Sequence, residues 1–223
     1  MNGAEEKTRW YGVHSALVTD IRDPDGRGRV KVKLLSSAGA AGEPFEAWAR
    51  LATLMAGRKS GSWFVPDTDN EVLVAFEAGD PRRPFVVGAL WTDDPPERMD
   101  AAGSNYRKLL RSRTGIRVTL DDQDGKEALT LETPGGQKVT LEDGPGSIEI
   151  ADHHGNSIRL EAGGVTVTAA AKVTINASAV EISAGLLTVN AGMSRFSGVV
   201  KADTVIANSV ISASYTPGAG NLV

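Results

Sequence analysis

Apolar and polar residues alternate along this chain with a period of two, and no stretch carries a convincing helical period. Between Trp10 and Trp91 five runs have strand character: Tyr11 to Asp20, Arg29 to Leu35, Ala47 to Leu54, Glu71 to Phe76 and Phe85 to Trp91. Their Val, Ile, Phe and Trp residues suit a pleated, half-buried surface. The second run is the clearest. Val30, Val32 and Leu34 fall on one side and Arg29, Lys31 and Lys33 on the other, which predicts a strand with one wet face. Asp-Pro-Asp-Gly at 23–26 and Gly-Asp-Pro at 79–81 break the runs as turns. Five short strands predict a small closed barrel, of which the OB-fold is the common type.

From residue 118 the pattern changes to a repeat of apolar–polar–apolar units. They are Val118-Thr-Leu120, Leu129-Thr-Leu131, Val139-Thr-Leu141, Ile148-Glu-Ile150, Ile158-Arg-Leu160, Val165-Thr-Val167, Val173-Thr-Ile175, Val180-Glu-Ile182 and Leu187-Thr-Val189. Turn formers separate them, among them Asp-Gly at 124–125, Gly-Gly at 135–136 and Gly155-Asn. Each unit offers two large apolar side chains on one face, too narrow a strip for one chain to close into a core. Three copies around one axis can close it, with the two apolar residues of every unit turned inward and the Thr, Glu and Arg between them turned to water. Consecutive strands and neighbouring chains pair, so few edges stay free. Steps between units fall from 11 residues at the start to 7 at the end, which predicts a narrower shaft toward the C-terminus.

Composition sharpens this division. From Ala162 onward the only charged residues are Lys172, Glu181, Arg195, Lys201 and Asp203, whereas all four Trp lie in the N-terminal half. The net charge of -4 gives no general reason to expect nucleic acid, which favours a basic face. With no cysteine there is neither a disulfide framework nor a thiolate metal site. The polar start MNGAEEKTRW has no apolar core of a signal peptide, so folding in the cytoplasm is expected.

The stretches DPDGRGRVKVKL (23–34) and VPDTDNEVLVAFEAGDPRRPFVVGALW (65–91) resemble the OB domain of phage baseplate protein V, of T4-type tail spikes and of VgrG spikes of type VI secretion. The features in common are Gly28-Arg-Val-Lys-Val, Trp63 with Pro66, Glu71-Val-Leu-Val-Ala-Phe, Gly79-Asp-Pro, Pro84 and Val86-Val-Gly88. One position departs: a Gly common before the Glu-Val strand is replaced by Thr68-Asp69-Asn70. Arg113-Thr-Gly115-Ile, Asp121-Asp-Gln-Asp-Gly and the repeat resemble the triple-stranded β-helix of the same spikes. The resemblance implies an all-β chain with an OB barrel (10–92), a linker or collar (93–115) and an intertwined trimeric β-helix (116–213), after an N-terminal tail (1–9).

It also implies partners. A homotrimer would sit on a trimeric hub through its OB domains, and the hub would be a separate protein, since about nine residues precede the barrel. Such a spike belongs to the baseplate of a phage-tail-like particle, is driven by sheath contraction and touches the target membrane transiently. In the family a PAAR-type cone covers the blunt end. Residues 214–223, with Tyr215, Thr216, Pro217, Gly218, Asn221, Leu222 and Val223, would form its docking platform; the His-x-His iron site of self-sharpening spikes is missing.

No enzyme is expected. No Gly-x-Ser-x-Gly elbow, P-loop or dinucleotide fingerprint is present. The three histidines are His14, His153 and His154, and the last two read as a solvated turn, so neither metal nor cofactor is expected. The basic stretch of Arg107, Lys108, Arg111, Arg113 and Arg117 reads as a collar facing the acidic part of a neighbouring chain or the hub. Two other functions fit the same elements: an OB-type binder of single-stranded nucleic acid on a trimeric stalk, or a trimeric receptor-binding fibre.

Overall fold

Alternation along the N-terminal runs becomes a closed barrel in the computed structural model, which describes residues 9–38, 44–98 and 102–214. Its strands are β1 (Val13–Asp20), β2 (Val30–Ala38), β3 (Pro44–Leu51), β6 (Glu71–Phe76) and β7 (Pro84–Leu90), with a short hairpin, β4 (Ala56–Gly57) and β5 (Ser60–Gly61), between the third and fourth. The barrel closes in the order β1-β2-β3-β7-β6. All neighbours are antiparallel except β3 and β7, which pair in parallel. All five expected strands are present, with ends shifted by up to three residues. Val30, Val32 and Leu34 point inward, as their alternation requires, beside Ala16, Val18, Ala49, Val72, Val74, Phe76 and Val86. Apart from Leu34 and Phe76 these are the small side chains of Ala and Val, which suits the narrow interior of a five-stranded barrel. Trp10 lies against Phe45 and Phe76, 4.7 and 5.2 Å between ring centroids, at the edge of this core.

Spaced glycines explain two parts of the barrel motif. Gly28 has φ +70°, and a Cβ there would stand 3.0 Å from the Trp63 ring. The two motif residues are thus in contact across 35 positions of sequence. Gly28→Val is expected to destabilise the barrel by about 1–3 kcal/mol, because it adds a left-handed β-branched residue to a steric clash. A urea midpoint equal to that of the unmodified protein would refute the contact. Where the family's Gly is replaced, Asp69 itself takes φ 68°, a conformation Asp tolerates better than most residues. The Asn70 side-chain oxygen accepts the Asp67 N–H at 2.9 Å and holds the turn.

The Asp-Pro-Asp-Gly turn is tied by Asp23. Its carboxylate accepts the N–H groups of Asp25, Arg27 and Arg29 and pairs with the Arg29 guanidinium at 2.7 Å. The Arg29 side chain, with those amides, holds the carboxyl well below the usual carboxylate range. A folded pKa below the unfolded value of about 3.9 means stability that is present at neutral pH and lost as the pH falls through the folded value. Asp23→Asn is therefore expected to lower the Tm at pH 7, and the gap to the native protein should narrow in acid. Thermal unfolding across pH checks this; a gap independent of pH would show that the charge is irrelevant.

After the barrel, seven strands form one antiparallel meander in chain order: β8 (Arg107–Arg111), β9 (Arg117–Asp121), β10 (Ala128–Glu132), β11 (Lys138–Glu142), β12 (Ser147–Ala151), β13 (Ser157–Glu161) and β14 (Gly164–Thr168). Three loops on one edge share a design. Ser112, Thr133 and Asp152 each accept, through a side-chain oxygen, the N–H of the residue four further on. Gly115, Gly136 and Gly155, three residues on from each, take positive φ. This is a turn closed by a left-handed glycine, a common hairpin solution. Strand pairing in this sheet, from Arg107 to Thr168, is thus between consecutive strands of one chain.

Residues from Val173 onward form a second unit. No strand is assigned in its described part, residues 173–214, and its large aliphatic side chains are exposed.

Candidate trimerisation surface

Because side chains alternate across a strand, the register of the seven strands sorts residues by face. Leu110, Val118, Leu131, Val139, Ile150, Ile158 and Val167 stand opposite one another in succession and form one ladder. A second ladder runs through Leu120, Leu129, Leu141, Ile148, Leu160 and Val165. Every residue of the two ladders is a large aliphatic, and among the described residues of the first unit no layer covers them. Val118 and Val139 are half-buried and the rest are exposed, Ile150 to 49%. Covering such side chains is worth about 1 kcal/mol each, roughly half the value for full burial.

The opposite face carries the intervening residues. Thr119, Thr130, Thr140, Glu149, Arg159 and Thr166 succeed one another across the strands. Arg159 is held by Glu161 at 2.9 Å and Glu149 at 3.7 Å, which raises its pKa further. One expectation needs correcting here. These residues do not all stand in water: Thr140 is buried and Thr119, Thr130, Glu149 and Arg159 are half-buried. A short Thr in mid-sheet is flanked on its own face by longer side chains such as Lys138, Glu142 and Glu149.

The expected inward residues therefore divide. Val118 through Val167 share one face. Val173, Ile175, Val180, Ile182, Leu187 and Val189 lie in the second unit, exposed and outside any strand, with no strand partner among the described residues. Tyr215, Thr216, Pro217, Gly218, Asn221, Leu222 and Val223 lie outside the described residues, as do residues 1–8 of the tail.

The basic stretch also departs from expectation. Residues 107–111, inside the stretch read as linker and collar, form the first strand of the sheet. Arg107 pairs with Asp121 at 3.3 Å, Lys108 with Asp122 at 3.0 Å and Arg113 with Asp67 at 3.4 Å. Those cations meet acids of their own chain, since hairpin pairing places the Asp121-Asp122 turn beside β8. Leu110 belongs to the first ladder and was hidden in the sequence by the cations around it. Its position, eight residues before Val118, was the available signal. Lys108 stands opposite Leu120, where the second ladder would otherwise continue.

His153 and His154 sit exposed in the β12–β13 turn, where Asp152 accepts the N–H groups of His154 and Asn156. Among the described residues no group of three or more His, Asp or Glu could hold a metal ion.

A closed barrel followed by a sheet whose two aliphatic ladders lie uncovered among the described residues is the architecture of a β-protein with an open apolar face. The family comparisons say which. A family described as the type VI secretion system/phage-baseplate injector OB domain matches residues 14–91, and the phage baseplate V C-terminal trimerisation domain matches residues 128–188. Together these cover more than half of the chain, which belongs to the phage-baseplate V/type VI secretion injector family. Among curated relatives, the type VI secretion system spike protein VgrG5 of Pseudomonas aeruginosa is 34% identical over 134 residues, 55% of this chain and 17% of that protein. VgrG1b of the same organism is 28% identical over 127 residues, 53% of this chain and 17% of that protein. VgrG3 of Vibrio cholerae is 30% identical over 113 residues, 48% and 11%. The chain thus spans less than a fifth of the length of these relatives. The matched trimerisation domain includes β10 to β14 and the units Val173-Thr-Ile175 and Val180-Glu-Ile182, and ends within the unit that begins at Leu187.

Proposed function

We propose that three copies of this chain form the central spike of a contractile, phage-tail-like injection machine. The observation that carries this is the pair of uncovered aliphatic ladders on a single-layered sheet. Each chain supplies one wall, and three walls set their ladders toward a common axis. Beyond Thr168, where in-chain pairing stops and every step is seven or eight residues, the three chains wind around one another and pair between copies. The matched trimerisation domain supports a homotrimer, and the VgrG spike relatives favour a spike over a nucleic-acid binder on a trimeric stalk or a trimeric receptor-binding fibre.

The work of such a spike is mechanical. Sheath contraction drives it against the target envelope, and its task requires stiffness, which interlocked side chains provide. A hub meets the barrel end, and a PAAR-type cone covers the C-terminal end through residues 214–223. The spike acts as part of a baseplate-like assembly and does its work without an active site. Mass photometry of the purified full chain tests the central claim. A species of about three times the 23.4 kDa protomer mass is expected; a stable, folded protomer at micromolar concentration would overturn it.

A further inference from the structure

The barrel has an outer surface that the ladders do not use. The β1–β2 loop and the β6–β7 loop flank the outside of β3, with Trp48 and Arg50 between them, and enclose a hollow of about 430 Å³. An adjoining hollow of about 570 Å³ shares Arg27 and Arg50 and opens onto the β4–β5 hairpin. OB-type barrels commonly take their ligands on this side.

The cations here fall into two groups. Arg29 is locked to Asp23 and Asp25, both at 2.7 Å, and its guanidinium lies 5.9 Å from the Trp48 ring centroid. Arg82 is likewise locked to Asp80 at 2.7 Å. These charges are already matched. Arg50 and Lys59 make no ion pair among the described residues, and Arg27 reaches Asp25 only at 3.9 Å. Beside this surplus of positive charge stand Met55, Trp63 and Phe64, the last two exposed to 75% and 72%. Leu54, at the same hairpin, is 96% exposed. Large apolar side chains clustered next to weakly paired or unpaired cations are the composition of a protein-binding hot spot.

We infer that this face of the barrel docks an acidic segment of another protein, whose carboxylates meet Arg27 and Arg50 and whose large apolar side chain seats on Met55, Trp63 and Phe64. A nucleic acid fits less well. Arg29, Arg82 and Arg83 are already held by Asp25, Asp80 and Glu77, which leaves too few free cations for a run of phosphates, and Met55 beside Trp63 and Phe64 makes an apolar seat suited to a large side chain. The inference deepens the spike reading and rests on it: the barrel is the end through which the trimer meets the rest of the particle.

The test uses the full chain and a short labelled peptide that alternates Glu with Leu and Phe. Fluorescence anisotropy should show binding that weakens with added salt. The double variant R27E/R50E should bind at least about tenfold more weakly, as loss and reversal of interfacial charges predicts. A peptide with Lys in place of Glu should show the reverse preference. Equal binding to both proteins, or none, overturns the inference. So does tighter binding of a labelled oligothymidylate, which would assign the face to phosphates. Mass photometry of the same samples separates the remaining cases. If the double variant alone loses the trimer, the face belongs to contact between copies and the inference fails. A trimeric native chain that ignores the peptide sinks the docking site but leaves the spike reading standing, whereas a monomeric native chain sinks the spike reading itself.

Discussion

Ile150→Asp is expected to abolish assembly and leave a 23.4 kDa protomer with a folded barrel. Ile150 sits in mid-ladder between Val139 and Ile158. In one chain it is 49% exposed, so a carboxylate there is tolerated before assembly. In a closed trimer three carboxylates would face one another in an apolar interior, and each unpaired buried ion costs several kcal/mol. The comparison that gives the result meaning is one residue away. Glu149 is on the other face, and Glu149→Ala removes only a part-exposed pair with Arg159, worth at most about 1 kcal/mol. That variant should assemble normally. Mass photometry reads both, and circular dichroism reports whether the protomers remain folded. Assembly by Ile150→Asp, or failure of Glu149→Ala, would mean that the wrong face has been turned to the axis.

Val173→Asp should remove the resistance of the assembled protein to SDS at room temperature. In the second unit Val173, Ile175, Val180 and Ile182 are all exposed and unpaired within the chain. On the spike reading other copies order them, and their burial adds a barrier to dissociation beyond that of the walls of residues 107–168. The native protein is expected to run as a trimer on an unboiled gel and as a protomer after boiling. Thr174→Asp, at the intervening position, should keep the unboiled trimer band. Limited proteolysis of Val173→Asp should trim the chain beyond residue 172 and spare the barrel. A Val173→Asp trimer as resistant as the native one would show that this segment contributes nothing to kinetic stability.

The sequence alone determined much of this protein. Strand positions followed from alternation, as at Val30, Val32 and Leu34, because a period of two has one structural meaning. The Gly-Asp-Pro and Asp-Pro-Asp-Gly breaks placed the turns for the same local reason. The ladder residues from Val118 to Val167 were legible too, since a strip two side chains wide shows by itself that the chain needs partners.

Tertiary structure decided what depends on pairing across distance. Only the barrel's closure brings Gly28 under Trp63, and only the hairpins set Arg107 and Lys108 beside Asp121 and Asp122 and turn an expected collar into a strand. Burial of Thr140 on the polar face was likewise invisible in the alternation, which assigns a side but not what stands next to it. The boundary at residue 172 has the same origin. Val165-Thr-Val167 and Val173-Thr-Ile175 look alike as triplets, but the first finds a neighbouring strand in its own chain and the second does not. Local pattern states which side chains seek cover; the register of the folded chain determines whether that cover is found at home or in another copy.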